Sequence, residues 1–160
     1  MKSNETEELL TAMHRIKRFM QDFHSNQNDC LPQFAFYLLM QIKEQAVAWC
    51  VGIVGPERID EINILQATYE AMRQAIAGLG VKPDILLNDA VEIPGVDIMQ
   101  VPIIKGDAKS VSIAAASILA KVTRDHLMAE YDKLYPVYGF AKHKGDGTAA
   151  HIAALRELGP

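Results

Sequence analysis

Two aspartates follow apolar runs of the sequence, at points where buried strands are expected to end. Asp89 comes after the run Ile85–Leu87, and Asp107 comes after the run Val101–Ile104. If the strands are parallel, their ends meet at one edge of a sheet, where carboxylates can bind Mg²⁺ or Mn²⁺ through oxygen. Two such ions can hold the attacking and leaving oxygens of a phosphodiester. Taken alone, the pattern is more often explained by solvated loop acids or helix caps.

The concentrated basic patch of the sequence lies in a glycine-rich stretch, residues 138–147. It consists of Lys142, His143 and Lys144. Basic side chains next to glycines can contact the phosphates of a nucleic acid. The alternative is a solvated loop, which is the more frequent role of such residues.

Size and composition limit the class of protein. The 160 residues suit a single domain. A formal net charge of -4 argues against a broad, non-specific nucleic-acid binder. The cysteines, Cys30 and Cys50, have no metal-type spacing, so a reduced, cytoplasmic setting is expected. Neither a secretion signal at residues 1–8 nor a membrane helix is expected, because no apolar run approaches about 18 residues.

Predicted strands alternate with predicted helices along the chain, which indicates an α/β fold with at least partly parallel pairing. The helices are predicted at residues 5–24, 34–45, 62–77, from about 112, 125–134 and 149–158. The strands are predicted at residues 46–54, 85–87 and 98–104. Thr148 is expected to cap the last helix.

Several segments of the sequence closely resemble bacterial ribonuclease HII, the type 2 ribonuclease H. The most specific is KGDAKSVSIAAASILAKVTRD, which is followed by YPVYGFAKHKGDGT. Upstream, KEQAVAWCVGIVGPERIDEINILQATYEAMRQAI and KPDILLNDAVEIPG are similar to the same family. The resemblance runs from about Gln41 to Gly159. It implies a ribonuclease H-like mixed sheet with flanking helices.

The resemblance also implies an activity and a set of site residues. The family cleaves the RNA strand of RNA–DNA hybrids and incises duplex DNA beside an embedded ribonucleotide, using four acids and Mg²⁺ or Mn²⁺. Asp89 and Asp107 stand at two of the four acid positions, which makes them the expected catalytic and metal-ligating residues. Lys142, His143 and Lys144 are the expected nucleic-acid contacts.

The sequence departs from the family in its first part. No Asp-Glu-X-Gly-Arg-Gly motif, which supplies the other two acids, occurs in these 160 residues. The sheet is therefore expected to be incomplete, without the family's first two strands. Residues 1–27 are predicted to form a helical segment of unknown role from the helical spacing of their apolar residues. Residues 28–160 are predicted to form a partial ribonuclease HII-like domain. Asp146 stands where the family has a tyrosine that reads the ribonucleotide, and an acid there would repel phosphate.

Two hypotheses follow from these departures. In the first, the chain is a truncated ribonuclease HII endonuclease whose activity is impaired or lost. In the second, it is a non-catalytic remnant that serves as a nucleic-acid-binding or interaction module. The expected partner is an RNA–DNA hybrid or ribonucleotide-containing duplex DNA, and not a membrane. Exposed strand edges of an incomplete sheet also predict oligomerisation.

Overall fold

Helices and two short strands make up residues 31–159, the part of the chain that the computed structural model describes. In chain order they are α1 (Leu31–Gln45), α2 (Pro56–Ala77), β1 (Ile85–Asp89), β2 (Met99–Ile103), α3 (Gly106–Lys109), α4 (Val111–Leu134), a 3-10 turn (Pro136–Tyr138), α5 (Phe140–His143) and α6 (Ala149–Leu158). The predicted helix at residues 5–24 and the predicted segment 1–27 lie outside the described residues.

The chain divides into two compact units. The first ends at Leu119 and the second begins at Ala120. Both strands and both predicted metal-ligating acids belong to the first unit, and the basic patch belongs to the second.

The sheet of the first unit consists, within the described residues, of β1 and β2. The strands are parallel, with Ile85 opposite Met99 and Asp89 opposite Ile103. This confirms the predicted α/β class and the predicted parallel pairing. It also leaves each strand with one edge that no other described strand covers.

The strand predicted at residues 46–54 is absent from the structure, where these residues form no ladder. The segment lies against α2 instead. A Cβ atom on Gly52 would collide with the carbonyl oxygen of Ala71, and the Ile53 amide donates to the Gln74 side-chain oxygen at 3.2 Å. The segment contacts α2, but none of residues 46–54 is buried, and Val47, Trp49 and Ile53 are exposed. A strand needs a neighbouring strand, and none of the described residues provides one.

Helix α2 is kinked at Asn63, whose backbone has a φ of 66°. The Asn63 side-chain oxygen accepts from the amides of Leu65 and Gln66, at 3.0 and 3.1 Å, and so caps the second half of the helix. Arg58 forms ion pairs with Glu61 before the kink and Glu70 after it, at 2.8 and 3.1 Å. Its hydrogen bonds to Glu61 and then Glu70 raise the pKa of Arg58.

A small set of apolar side chains is buried in the first unit. Ile118 of α4 is the largest of the fully buried ones, with 2% of its surface exposed. The other members are Leu38, Leu39, Ala67, Ile93, Ile113, Ala114 and Leu119. Because four of these residues lie in the first turns of α4, this part of the small-residue helix belongs to the core, as its composition suggests.

The second unit begins within α4, which runs unbroken through Asp125 and ends at Leu134. The separate helix predicted to begin at Asp125 is therefore wrong, and Asp125 instead accepts a hydrogen bond from Lys121 at 2.8 Å. The cap predicted for the last helix is confirmed, because the Thr148 hydroxyl oxygen accepts from the His151 amide at 3.2 Å. None of the described helices is long and apolar enough to cross a membrane.

Candidate metal-binding edge and basic loop

The two predicted acids lie at the same edge of the sheet. Asp89 is the last residue of β1 and pairs with Ile103, the last residue of β2. Asp107 follows Ile103 after a short turn and lies in the first turn of α3. Because the strands are parallel, both carboxylates belong to the edge formed by the strands' carboxyl ends. We call Asp89, Gly106 and Asp107 the acidic edge.

A direct hydrogen bond joins the two parts of the acidic edge. The Gly106 amide donates to Asp89 Oδ1 at 2.8 Å. The left-handed backbone of Lys105, with φ 56° and ψ 50°, turns the chain so that this amide reaches the end of β1. A Cβ atom on Gly106 would lie 3.3 Å from both Cα and Oδ1 of Asp89 and 2.6 Å from Cδ1 of Ile113. The turn therefore lies very close to the end of β1, and a larger residue than glycine would have to displace Ile113.

Asp107 is oriented by its own helix. Its Oδ1 accepts from the Ala108 amide at 2.8 Å, as a carboxylate in the first turn of a helix commonly does. The residue is half-buried, whereas Asp89 is exposed. The acidic edge thus presents two carboxylates, one held by a neighbouring turn and the other by the start of α3.

Gln100, a residue that no sequence motif singles out, supports the strand that carries Asp89. Its Oε1 accepts from the Ile93 amide at 2.7 Å and from Asn88 Nδ2 at 2.9 Å, and its Nε2 donates to the Ile93 carbonyl at 2.9 Å. One side chain therefore fixes the connection between the strands and the residue before Asp89. A lone amide inside the apolar run at residues 98–104 was the available signal.

The donor atoms of the acidic edge suit a hard divalent cation, because carboxylate oxygens are the ligands that Mg²⁺ and Mn²⁺ prefer. In residues 31–159, however, no three His, Cys, Asp or Glu side chains lie close enough together to surround a metal ion. Asp89 and Asp107 can therefore contribute part of a coordination shell, and other ligands must complete it.

The predicted basic patch lies between Gly139 and Gly147, where the structure has the short helix α5 followed by a turn rather than a continuous loop. We call this segment the basic loop. Lys142 is exposed and Lys144 is half-buried, whereas His143 has only 8% of its surface exposed. Lys144 has a left-handed backbone with φ 53°, and its carbonyl accepts from the Arg124 guanidinium at 3.2 Å. The loop therefore presents the two lysines from a backbone that hydrogen bonds hold in place.

Asp146 is also part of the basic loop. Its amide donates to the His143 carbonyl, and its own carbonyl accepts from the Thr148 amide, both at 2.8 Å. The residue is exposed. Its carboxylate places a negative charge in the same segment as the two lysines.

Comparison with known proteins shows which family the chain is similar to. The family model described as Ribonuclease HII matches residues 32–160. Ribonuclease HII from Lachnoclostridium phytofermentans is 68% identical over 120 residues, which cover 75% of this chain and 47% of that protein. Ribonuclease HII from Desulfitobacterium hafniense (strain Y51) is 62% identical over 76% of this chain and 47% of its own length.

A third relative gives the same result. Ribonuclease HII from Clostridioides difficile is 60% identical over 118 residues, which cover 74% of this chain and 46% of that protein. The chain spans about half the length of the curated relatives it matches. Since the family model covers most of the chain, including the acidic edge and the basic loop, the chain belongs to the ribonuclease HII family.

Proposed function

We propose that this chain provides part of the active site of a ribonuclease HII endonuclease. Its substrates would be RNA–DNA hybrids and duplex DNA that contains an embedded ribonucleotide. Asp89 and Asp107 would be catalytic residues that bind Mg²⁺ or Mn²⁺. Lys142 and Lys144 would contact phosphates. His143, which lies between them in the sequence, would belong to the same nucleic-acid-binding segment.

The placement of Asp89 and Asp107 carries this proposal. Acids that follow two separate apolar runs could lie anywhere on a surface, yet here Asp89 ends β1 and Asp107 follows the end of its parallel partner β2 by four residues. The Gly106 amide joins them, because it donates to Asp89 and immediately precedes Asp107. A divalent ion, when bound, would stabilise the charge that develops on a phosphodiester during hydrolysis. The role of the two side chains is to hold that ion at the edge of the sheet.

A second candidate function is supported by a different observation. The described residues bring together two acids of the acidic edge and no third ligand, whereas the basic loop is ordered by its own hydrogen bonds. The chain alone would then bind nucleic acid without cleaving it, as an impaired family member or as a non-catalytic binding or interaction module. The two candidate functions predict the same contacts with nucleic acid, and they differ in whether the nucleic acid is cleaved.

Self-association is also part of the proposal. The described edges of β1 and β2 have no further strand beside them, and unpaired edges favour pairing with another chain. Ile85 and Leu87 on β1 are 44% and 39% exposed, and Trp49 and Ile53 are 42% and 58% exposed.

A cytoplasmic setting is proposed as well, because Cys50 is a free thiol.

Replacing either acid of the acidic edge should weaken metal binding. In the unmodified chain, added Mn²⁺ should broaden the amide NMR signals of residues near Asp89 and Asp107. Asp89→Asn or Asp107→Asn should reduce the Mn²⁺ affinity about tenfold or more, because each removes one charged oxygen ligand. Asp84→Asn is the matched control, since Asp84 precedes β1 at the opposite end of the strand. Equal effects of all three changes would refute the metal assignment.

Removing both lysines of the basic loop should weaken binding to an RNA–DNA hybrid. Lys142→Ala/Lys144→Ala is expected to raise the Kd about tenfold in a fluorescence anisotropy titration at moderate salt. The slope of log Kd against log salt should fall by about 0.9 for each phosphate that the variant no longer neutralises. Lys82→Ala/Lys133→Ala removes the same charge elsewhere and should change the Kd far less. If the two double variants bind equally, the loop is not the contact surface.

A further inference from the structure

His143 differs from the two lysines beside it in the sequence. Among the residues that the structure describes, it is the one polar or charged residue that is buried, at 8% exposure. Its Nδ1 accepts from the Gly145 amide at 3.1 Å, and its Nε2 lies 2.6 Å from the Tyr138 carbonyl oxygen. Because an amide can only donate and a carbonyl can only accept, the ring carries its proton on Nε2.

The two hydrogen bonds of His143 span the basic loop. Tyr138 lies before α5 and Gly145 lies after it, so one imidazole ring ties together the chain on both sides of this short helix. The ring is also packed between aromatic neighbours. Its centroid lies 5.8 Å from that of Phe140, at an interplanar angle of 70°, and 4.3 Å from that of His151. The ring therefore cannot turn without breaking these contacts.

The backbone that His143 holds is one that needs support. Gly139, Lys144 and Gly145 all have a left-handed backbone, with φ values of 70°, 53° and 86°. A lysine in this conformation is less favourable than in an ordinary helix or strand, so it persists where neighbouring contacts fix it. The hydrogen bond between His143 and Gly145 spans Lys144, so it fixes the backbone on both sides of this lysine.

We propose that His143 is a positioning residue, which holds Lys142 and Lys144 in the orientation that meets nucleic-acid phosphates and does not itself contact the nucleic acid. The proposal rests on the proposed function, which assigns the phosphate contacts to the two lysines. It separates His143 from those lysines, because both of its ring nitrogens are already bonded within the loop.

Three substitutions separate the two hydrogen bonds. His143→Asn keeps an acceptor near Nδ1 for the Gly145 amide, His143→Gln keeps a donor near Nε2 for the Tyr138 carbonyl, and His143→Ala keeps neither. We expect Gln and Ala to accelerate hydrogen exchange of the Gly145 amide and to raise the Kd for an RNA–DNA hybrid about tenfold. Asn should retain most of the protection and most of the affinity. His126→Ala, at a histidine whose side chain is 78% exposed, is the matched control and should change neither.

A double-mutant cycle distinguishes positioning from direct contact. If His143 acts through the lysines, His143→Gln adds no further loss of affinity to Lys142→Ala/Lys144→Ala. Additive losses would mean that His143 contacts the nucleic acid directly, and the proposal would be overturned. It would also be overturned if His143→Asn and His143→Gln left affinity unchanged while the lysine substitutions weakened it. If the lysine substitutions themselves have no effect, the proposed function fails instead.

Discussion

The 160-residue chain by itself is expected to leave a DNA duplex with one embedded ribonucleotide intact, in Mg²⁺ or in Mn²⁺. In-line displacement at phosphorus with two metal ions needs ligands that hold both ions close together. The acidic edge supplies Asp89 and Asp107, and the described residues add no third ligand to them. Removing one stabilising group from an active site commonly costs about 10²–10³ in rate. We therefore expect incision at least roughly a thousandfold slower than with a complete site.

A denaturing gel assay with an end-labelled duplex measures this difference. The full-length ribonuclease HII of Lachnoclostridium phytofermentans, which shares 68% identity with the matched part of this chain, serves as the comparison enzyme. Binding of an RNA–DNA hybrid without incision would support the non-catalytic candidate. Metal-dependent incision by the 160-residue chain that disappears in Asp89→Asn and persists in Asp84→Asn would show that the chain is active and that the prediction is wrong.

Gly52→Ala should destabilise the first unit strongly, by about 1–3 kcal/mol or more. The new methyl group would collide with the Ala71 carbonyl oxygen, which belongs to the backbone of α2 and cannot rotate away. At Gly106, by contrast, the atom closest to an added methyl is the flexible end of Ile113. The segment at residues 46–54 would have to move away from α2 to accommodate the change, and the Ile53 hydrogen bond to Gln74 would break with it.

Urea unfolding followed by tryptophan fluorescence tests this expectation, because Trp49 is the one tryptophan of the chain and lies in the affected segment. Gly147→Ala is the matched control. No atom lies within 4 Å of a Cβ built on Gly147, so its free energy of unfolding should change by less than about 0.5 kcal/mol. Equal unfolding midpoints for Gly52→Ala and the unmodified chain would show that the contact between the segment and α2 is absent in solution.

Local patterns in the sequence predicted the longer helices, although not the short helices α3 and α5 or the continuity of α4 through Asp125. The last helix begins after Thr148 and ends at Leu158 as expected, because a capping hydroxyl and a following glycine define its limits. The strand predicted at residues 46–54 failed for a different reason. Its apolar residues predict a buried strand, but none of them is buried in the structure, and strand formation depends on a partner that the local pattern cannot specify.

The sequence predicted which acids belong to the candidate site, but not the residues that hold them in place. Asp89 and Asp107 could be assigned to one edge from the order of strands and helices alone. The amide of Gly106 and the side chain of Gln100, which fix that edge, could not, because their roles arise from a left-handed turn and from contacts across the sheet. His143 was grouped with the lysines because a sequence does not show which member of a charged run turns inward.

The short connection between β1 and β2 bears on how the acidic edge assembles. Parallel strands are usually joined by a crossover of about a dozen residues or more, most often a helix. Here residues 90–98 make the connection, and Gln100 holds it through Ile93. Closing so small a loop costs little chain entropy, and pairing between strands that are close in sequence is fast. The edge that carries Asp89 can therefore form early in folding, before contacts between distant parts of the chain are made.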